Sequence, residues 1–148
     1  NFRISVAAAE VVLRELDRAA RELVFFTDAR SPKVQQIERQ PKGVLVLWSA
    51  ELGWQLRLSV TMSVETTGLA VSSRWAQLQM KPAAQDYLSP LPPGSALPHA
   101  AAVPELGKRV HFAVVTARVT MMDWLDLHPA GHRRAGFPTH GPAVWLQP

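Results

Sequence analysis

The most regular alternation of apolar and polar positions is Trp54-Gln55-Leu56-Arg57-Leu58-Ser59-Val60. Successive side chains of a strand point to opposite sides. Trp54, Leu56, Leu58 and Val60 therefore share one face, and Gln55, Arg57 and Ser59 share the other. The alternation runs on to Val64 and stops at Thr67-Gly68, which predicts a long strand over 54–64. Phe2, Ile4 and Val6 predict a strand within 1–9. Val11-Val12-Leu13, continuing to Asp17, predicts a second, with Arg14 near its exit, and 23–27 a third. Between the last two, 18–22 reads equally as a helical turn or a wide hairpin loop. The run Gly43-Val44-Leu45-Val46-Leu47-Trp48 is almost wholly apolar, the pattern of a strand buried on both faces.

Helical spacing replaces this period at two places. Residues 31–40 place Val34 and Ile37 on one side and end at Pro41; 69–81 carry Leu69, Ser72, Trp75 and Ala76 and end at Pro82. Residues 83–105 are rich in proline, alanine and glycine and predict a short helix near 84–88 followed by a long loop. A β-rich run over 110–122 is extended by 123–127. A turn at His128-Pro129-Ala130-Gly131, a cationic extended segment at 132–137 and a last strand at 143–146 follow. Six or seven strands, few helices and no βαβ alternation favour an antiparallel barrel, mainly β with short helices. The length of 148 residues fits one domain, 1–148.

Composition narrows the chemistry. Cysteine is absent, which removes disulfides, thiolate nucleophiles and cysteine metal sites. No apolar run approaches a transmembrane span, and no secretory leader is visible, so a cytoplasmic protein is expected. The net charge is +4 and 12 of 16 cations are arginine, the residue suited to bidentate anion binding. These cations are spread along the chain, so no nucleic-acid surface is marked. His128 and His132 are four apart, but Pro129 and Gly131 break the helix that would align them, so no metal site is expected. Ser95 follows Pro-Pro-Gly without a nucleophile elbow, and neither a dinucleotide fingerprint nor a P-loop is present. The five tryptophans read as core and interface filler.

One stretch carries chemistry: Phe25-Phe26-Thr27-Asp28-Ala29-Arg30-Ser31-Pro32-Lys33. A strand ends there in two hydroxyls and two cations, just where a helix begins. Helix-start amides and the helix dipole favour an anion at such a place. The same residues also read as a plain capped helix, with Ser31 as N-cap, Pro32 in the first turn and the charges in water.

This stretch, followed by Gln36-Ile37 and Pro41, resembles the signature of the pyridoxamine 5′-phosphate oxidase-like, FMN-binding split β-barrel family, in the branch with a Thr-Asp-x-Arg-Ser-x-Lys motif. Val11-Val12-Leu13-Arg14, Gln55, Trp124 and 132–137 resemble further family segments in the right order. The resemblance implies a split antiparallel β-barrel that binds FMN at a homodimer interface and oxidises a small molecule, with no side-chain nucleophile. It implies that Val12 and Leu13 flank the flavin through their backbone, with Arg14 beside them. Phe26 and Thr27 would line the site, Ser31 and Lys33 would hold the phosphate, and Arg30 would be an added cation. Gln55 would hydrogen-bond the ring, Ser95 and Trp124 would come from the loop and the C-terminal segment, and His132 and Arg134 would orient an anionic substrate. Three departures stand out. Ala9 and Gly136 occupy positions of family arginines, and Trp75-Ala76-Gln77-Leu78-Gln79-Met80-Lys81-Pro82 replaces the stretch that binds a substrate phosphate in the strict oxidases. They point to a substrate other than a B6 phosphate or, as the alternative, to a non-catalytic flavin- or ligand-binding barrel.

Overall fold

The computed structural model describes residues 8–99, 107 and 110–148. In chain order the elements are β1 (Leu13–Asp17), β2 (Glu22–Asp28), α1 (Pro32–Arg39), β3 (Lys42–Ser49), β4 (Trp54–Glu65), α2 (Leu69–Leu78), a 3-10 helix (Pro82–Tyr87), β5 (Phe112–Asp126), β6 (Arg133–Pro138) and β7 (Val144–Leu146). The strand expected over 1–9 falls for the most part outside the described residues. Residues 18–21 form a turn, in which the Ala20 amide donates to the Asp17 carboxylate at 2.9 Å.

The sheet is organised on β5. Its order is β1-β2-β5-β4-β3, every pair antiparallel, and β6 also pairs with β5 and carries β7. The beginning of β5 pairs with β2 (Phe112 opposite Asp28, Arg118 opposite Glu22), and its end pairs with β6 (Asp126 opposite Arg133). Two strands thus share one edge of β5 in tandem, while β4 runs along the other edge. A bulge between Ser59 and Val60 lies midway along that pairing, where added local twist bends the sheet into a barrel.

Packing follows the faces. Leu23, Leu58, Val60 and Ala117 are buried inside the barrel against Leu45, Leu47 and Met62. Helix α1 sets Ile37 on Phe25 and Val115. Helix α2 and the 3-10 helix cover the opposite face, with Val71, Leu78 and Tyr87 on Val24, Phe112 and Val114. Ala113, Val114, Val115 and Ala117 have no exposed surface, so the beginning of β5 is the strand covered on both sides.

That corrects the expectation for Gly43-Val44-Leu45-Val46-Leu47-Trp48. This run is β3, the edge of the barrel sheet, and Val44, Val46 and Trp48 face outward at 51, 61 and 56% exposure. An apolar run reports that both faces tolerate burial, not that this chain covers both. The tryptophans divide likewise: Trp75 packs on the core, whereas Trp48 and Trp145 are exposed.

Candidate functional site

The end of β2 and the start of α1 form a tight corner. The Ala29 amide donates to the His111 carbonyl at 2.8 Å, and the Ser31 amide donates to the Asp28 carbonyl at 2.9 Å. Ser31 is the N-cap and Pro32 sits in the first turn, as the sequence predicts, but the Ser31 side chain makes no capping bond. The first turn of α1 holds no acidic residue. Thr27 and Ser31 are buried, and Lys33 is half-buried and makes no ion pair among the described residues. Two hydroxyls and one ammonium without an ion pair among the described residues thus stand within seven residues at a helix start, where the Ser31 and Val34 amides are already bonded and Pro32 has none. That donor set fits a phosphate dianion, which a helix N-terminus favours.

Arg14 sits on a β-bulge of the neighbouring strand. Leu13 pairs with Phe25 and Glu15 with Val24, so Arg14 is the extra residue. Its guanidinium lies 5.9 Å from the centre of the half-buried Phe26 ring. The neighbouring Tyr87 hydroxyl is held above its ordinary pKa by burial, and nearby Arg14 pulls the other way. Leu13 and Val12 are exposed at the edge of the sheet. Arg30 belongs to the same corner, but most of its donors are engaged there. It donates to Asp28 at 2.7 and 3.0 Å and to the carbonyls of Ser89, Pro90 and Leu91 at 2.9, 3.2 and 3.3 Å. Ser95 lies in the turn that follows, its amide and hydroxyl both donating to the Pro92 carbonyl.

A second group lies at the far end of β5. Gln55 stands opposite Leu125, Arg57 opposite Asp123, and Arg134 opposite Leu125 on the other side. Gln55, Arg57, Asp123, Leu125 and Arg134 line a small cavity of about 120 Å³. The alternation of β4 places Arg57 on the face of Gln55, yet its partner Asp123 could be matched to it only by register. His132 lines a different hollow from Arg134, with His128, Gly131 and Arg133. Trp124 stands opposite Leu56, on the other face from Gln55. It packs edge-on against Trp54 at 5.4 Å with the Arg133 guanidinium 5.8 Å from its ring. Its buried indole nitrogen has no partner among the described residues. At Gly136 an added Cβ would meet Met121 Cε at 3.0 Å and Leu146 Cδ1 at 3.3 Å, so apolar groups crowd this position.

Comparison with known proteins fits this geometry. Residues 7–66 match the family described as pyridoxamine 5′-phosphate oxidase, FMN-binding domain. A pyridoxamine 5′-phosphate oxidase-related, FMN-binding protein from Nostoc punctiforme PCC 73102 superposes with a TM-score of 0.76 at 18% identity, over 93% of this chain and 79% of that one. The fold is a split β-barrel like that of this solved protein. The matched domain is described as FMN-binding, and the matched residues include the β2–α1 corner. A second split barrel, PhzG from Burkholderia lata 383 in complex with tetrahydrophenazine-1-carboxylic acid, superposes with a TM-score of 0.69 at 17% identity, over 93% of this chain and 73% of that one. In sequence, the chain is 41% identical over 71 residues to a pyridoxine/pyridoxamine 5′-phosphate oxidase of Thermosynechococcus vestitus. The match takes in 48% of this chain and 32% of that oxidase, so the chain spans about a third of the relative's length.

The Arg134–Asp123 pair of this split barrel has a testable pH signature. Arg134 donates through Nε at 3.0 Å and Nη2 at 2.7 Å. These bonds hold the Asp123 carboxyl below its ordinary value against the opposing effect of burial, and Arg57 adds to the lowering. A carboxyl whose pKa is lower folded than unfolded stabilises the fold above its unfolded value and ceases to as pH falls through the folded value. Asp123→Asn is therefore expected to cost up to about 1 kcal/mol at neutral pH, with the difference from the parent vanishing in acid. Urea unfolding at both pH values checks this; a difference that persists in acid would assign the effect to packing.

Proposed function

We propose that the chain is an FMN-dependent oxidoreductase acting on a small anionic substrate other than a B6 phosphate, as a cytoplasmic homodimer with the flavin between subunits. One observation carries the shared site. The phosphate corner lies at Phe112 of β5 and Gln55 at Leu125. Thirteen residues of strand separate them, a contour of roughly 40 Å. A single ribityl chain does not bridge that length, even along a bent strand. A second subunit that brings its Gln55 end to this chain's corner completes the set. The exposed Val44, Val46 and Trp48 supply an apolar surface for such a contact.

Bound FMN would supply a hydride-accepting ring, so the protein's tasks are holding and orienting. Thr27, Ser31 and Lys33 hold the phosphate, and Arg14 and Phe26 flank the approach to it. Gln55 hydrogen-bonds the ring. Arg134 is fixed in place by Asp123, and together with Arg57 it gives that cavity two cations against one carboxylate. Such a cavity takes the acidic group of a small substrate; PhzG, a relative in fold, is in complex with a carboxylic acid. The segment from Trp75 to Pro82 supports a non-B6 substrate, because Trp75 is spent on packing against Tyr87 and Phe112.

Purified protein soaked in FMN is expected to turn yellow and keep flavin absorbance after desalting. A shared site also predicts complementation. Lys33→Ala and Gln55→Ala homodimers each bind poorly, and mixing them with subunit exchange restores about a quarter of the sites. No recovery despite proven exchange would mean that no site takes Lys33 from one subunit and Gln55 from the other.

A non-catalytic flavin-binding barrel is the second reading, favoured by Ala9 and by the crowding at Gly136. It predicts flavin binding without substrate-dependent bleaching under anaerobic conditions, across a panel of small carboxylic acids.

A further inference from the structure

The geometry points to Arg30 as a positioning residue that fixes the phosphate corner to the segment over 89–95, and not as a ligand of the phosphate. A guanidinium carries five N–H donors. In Arg30, Nε and Nη2 grip the two oxygens of Asp28, Nη1 reaches Pro90, and Nη2 also reaches Ser89 and Leu91. Three consecutive carbonyls thus wrap one cation. Asp28 is buried, its side chain 5% exposed, and its Oδ1 also accepts the Arg30 amide at 2.8 Å. The hydrogen bonds that Arg30 donates to Asp28 favour its charged form, and the Asp28 carboxylate neutralises that charge. Turning this guanidinium toward an anion would break several bonds and strand a buried carboxylate, which costs more than one new contact returns.

The coupling reaches both sides of the corner. Asp28 closes β2, and its carbonyl accepts the amide of Ser31. On the other side, the Leu88 carbonyl accepts the Gly107 amide, and the Tyr87 carbonyl accepts the His111 amide, so both ends of the segment after the 3-10 helix are pinned. Arg30 fills the first turn of that segment, which goes on to Ser95. It therefore sets where Ser31 and Lys33 stand relative to Ser95.

The proposal rests on FMN being the ligand of the corner, and its test separates the two. FMN and riboflavin are titrated by flavin fluorescence into the full chain and into Asp28→Asn, Arg30→Gln and Arg30→Lys variants. Hydrogen exchange of the 88–95 amides is read without flavin. Asp28→Asn and Arg30→Gln are expected to weaken FMN by roughly tenfold and to leave riboflavin unchanged. Arg30→Lys should not rescue, because an ammonium cannot hold four oxygen-bearing groups in a plane. All three should speed exchange over 88–95. A direct phosphate ligand behaves oppositely: Asp28→Asn frees the cation and tightens FMN, and lysine preserves binding. Either result overturns the proposal. A merely structural role would lower stability with the FMN-to-riboflavin ratio unmoved, and that also overturns it. If the parent binds no FMN, the flavin reading fails, and unchanged exchange over 88–95 would sink the strut separately.

Discussion

Replacing Lys33 with alanine is expected to weaken FMN binding about ten- to a hundredfold while leaving riboflavin affinity and folding stability nearly unchanged. Charge-assisted hydrogen bonds contribute roughly 1.5–3 kcal/mol each, and about 1.4 kcal/mol is a factor of ten. The loss should sit at the upper part of that range, because Lys33 has few helpers. Ala9 and Gly136 supply no cation. Arg30 is engaged by Asp28 and three carbonyls. Arg14 is the remaining cation near the corner, lying over Phe26. Stability should hold because Lys33 makes no ion pair among the described residues, and such substitutions usually stay within about 0.5 kcal/mol. Parallel fluorescence titrations of the two flavins check the result. An equal loss for both would move Lys33 from the phosphate to the ring.

The largest stability effect is expected at Phe112. It is 4% exposed and opens the doubly covered part of β5. Its ring meets Phe26 at 4.9 Å, Tyr87 at 5.2 Å and Trp75 at 5.5 Å, the first two edge to face. Three elements, β2, α2 and the 3-10 helix, are joined through this one side chain. Phe112→Ala should cost about 3–5 kcal/mol, through lost transfer energy and a cavity that rigid neighbours cannot close. Against a total of roughly 5–15 kcal/mol for a domain, that is a large fraction. The urea midpoint should fall with little change in slope. A cost below about 1.5 kcal/mol would mean that the cluster relaxes around the gap. Since Phe112 pairs with Asp28, the variant should also loosen the phosphate corner and weaken FMN more than riboflavin.

Much of the site's composition is legible in the chain itself. The strand-to-helix change at Thr27–Lys33 places two hydroxyls and a lysine at a helix start, and the structure keeps that local arrangement. The alternation over 54–60 puts Gln55 and Arg57 together, and the cavity includes both. The roles of the arginines were not legible. The motif lists Arg30 beside Lys33 as an equal cation, but Arg30 meets carbonyls some sixty residues away. Arg14 reads as an ordinary strand residue, and the structure places it on a bulge. Arg134 and His132 sit two apart in sequence and line different hollows.

The sequence by itself determined the periods, the turns and the chemistry available at the β2–α1 corner, because these depend on neighbours along the chain. Only the tertiary structure decided which apolar faces are covered, which cations are already paired, and that the corner and Gln55 stand at opposite ends of β5. Those outcomes follow from strand order and register. Register is set by the summed burial of many distant side chains, and no local pattern carries that sum.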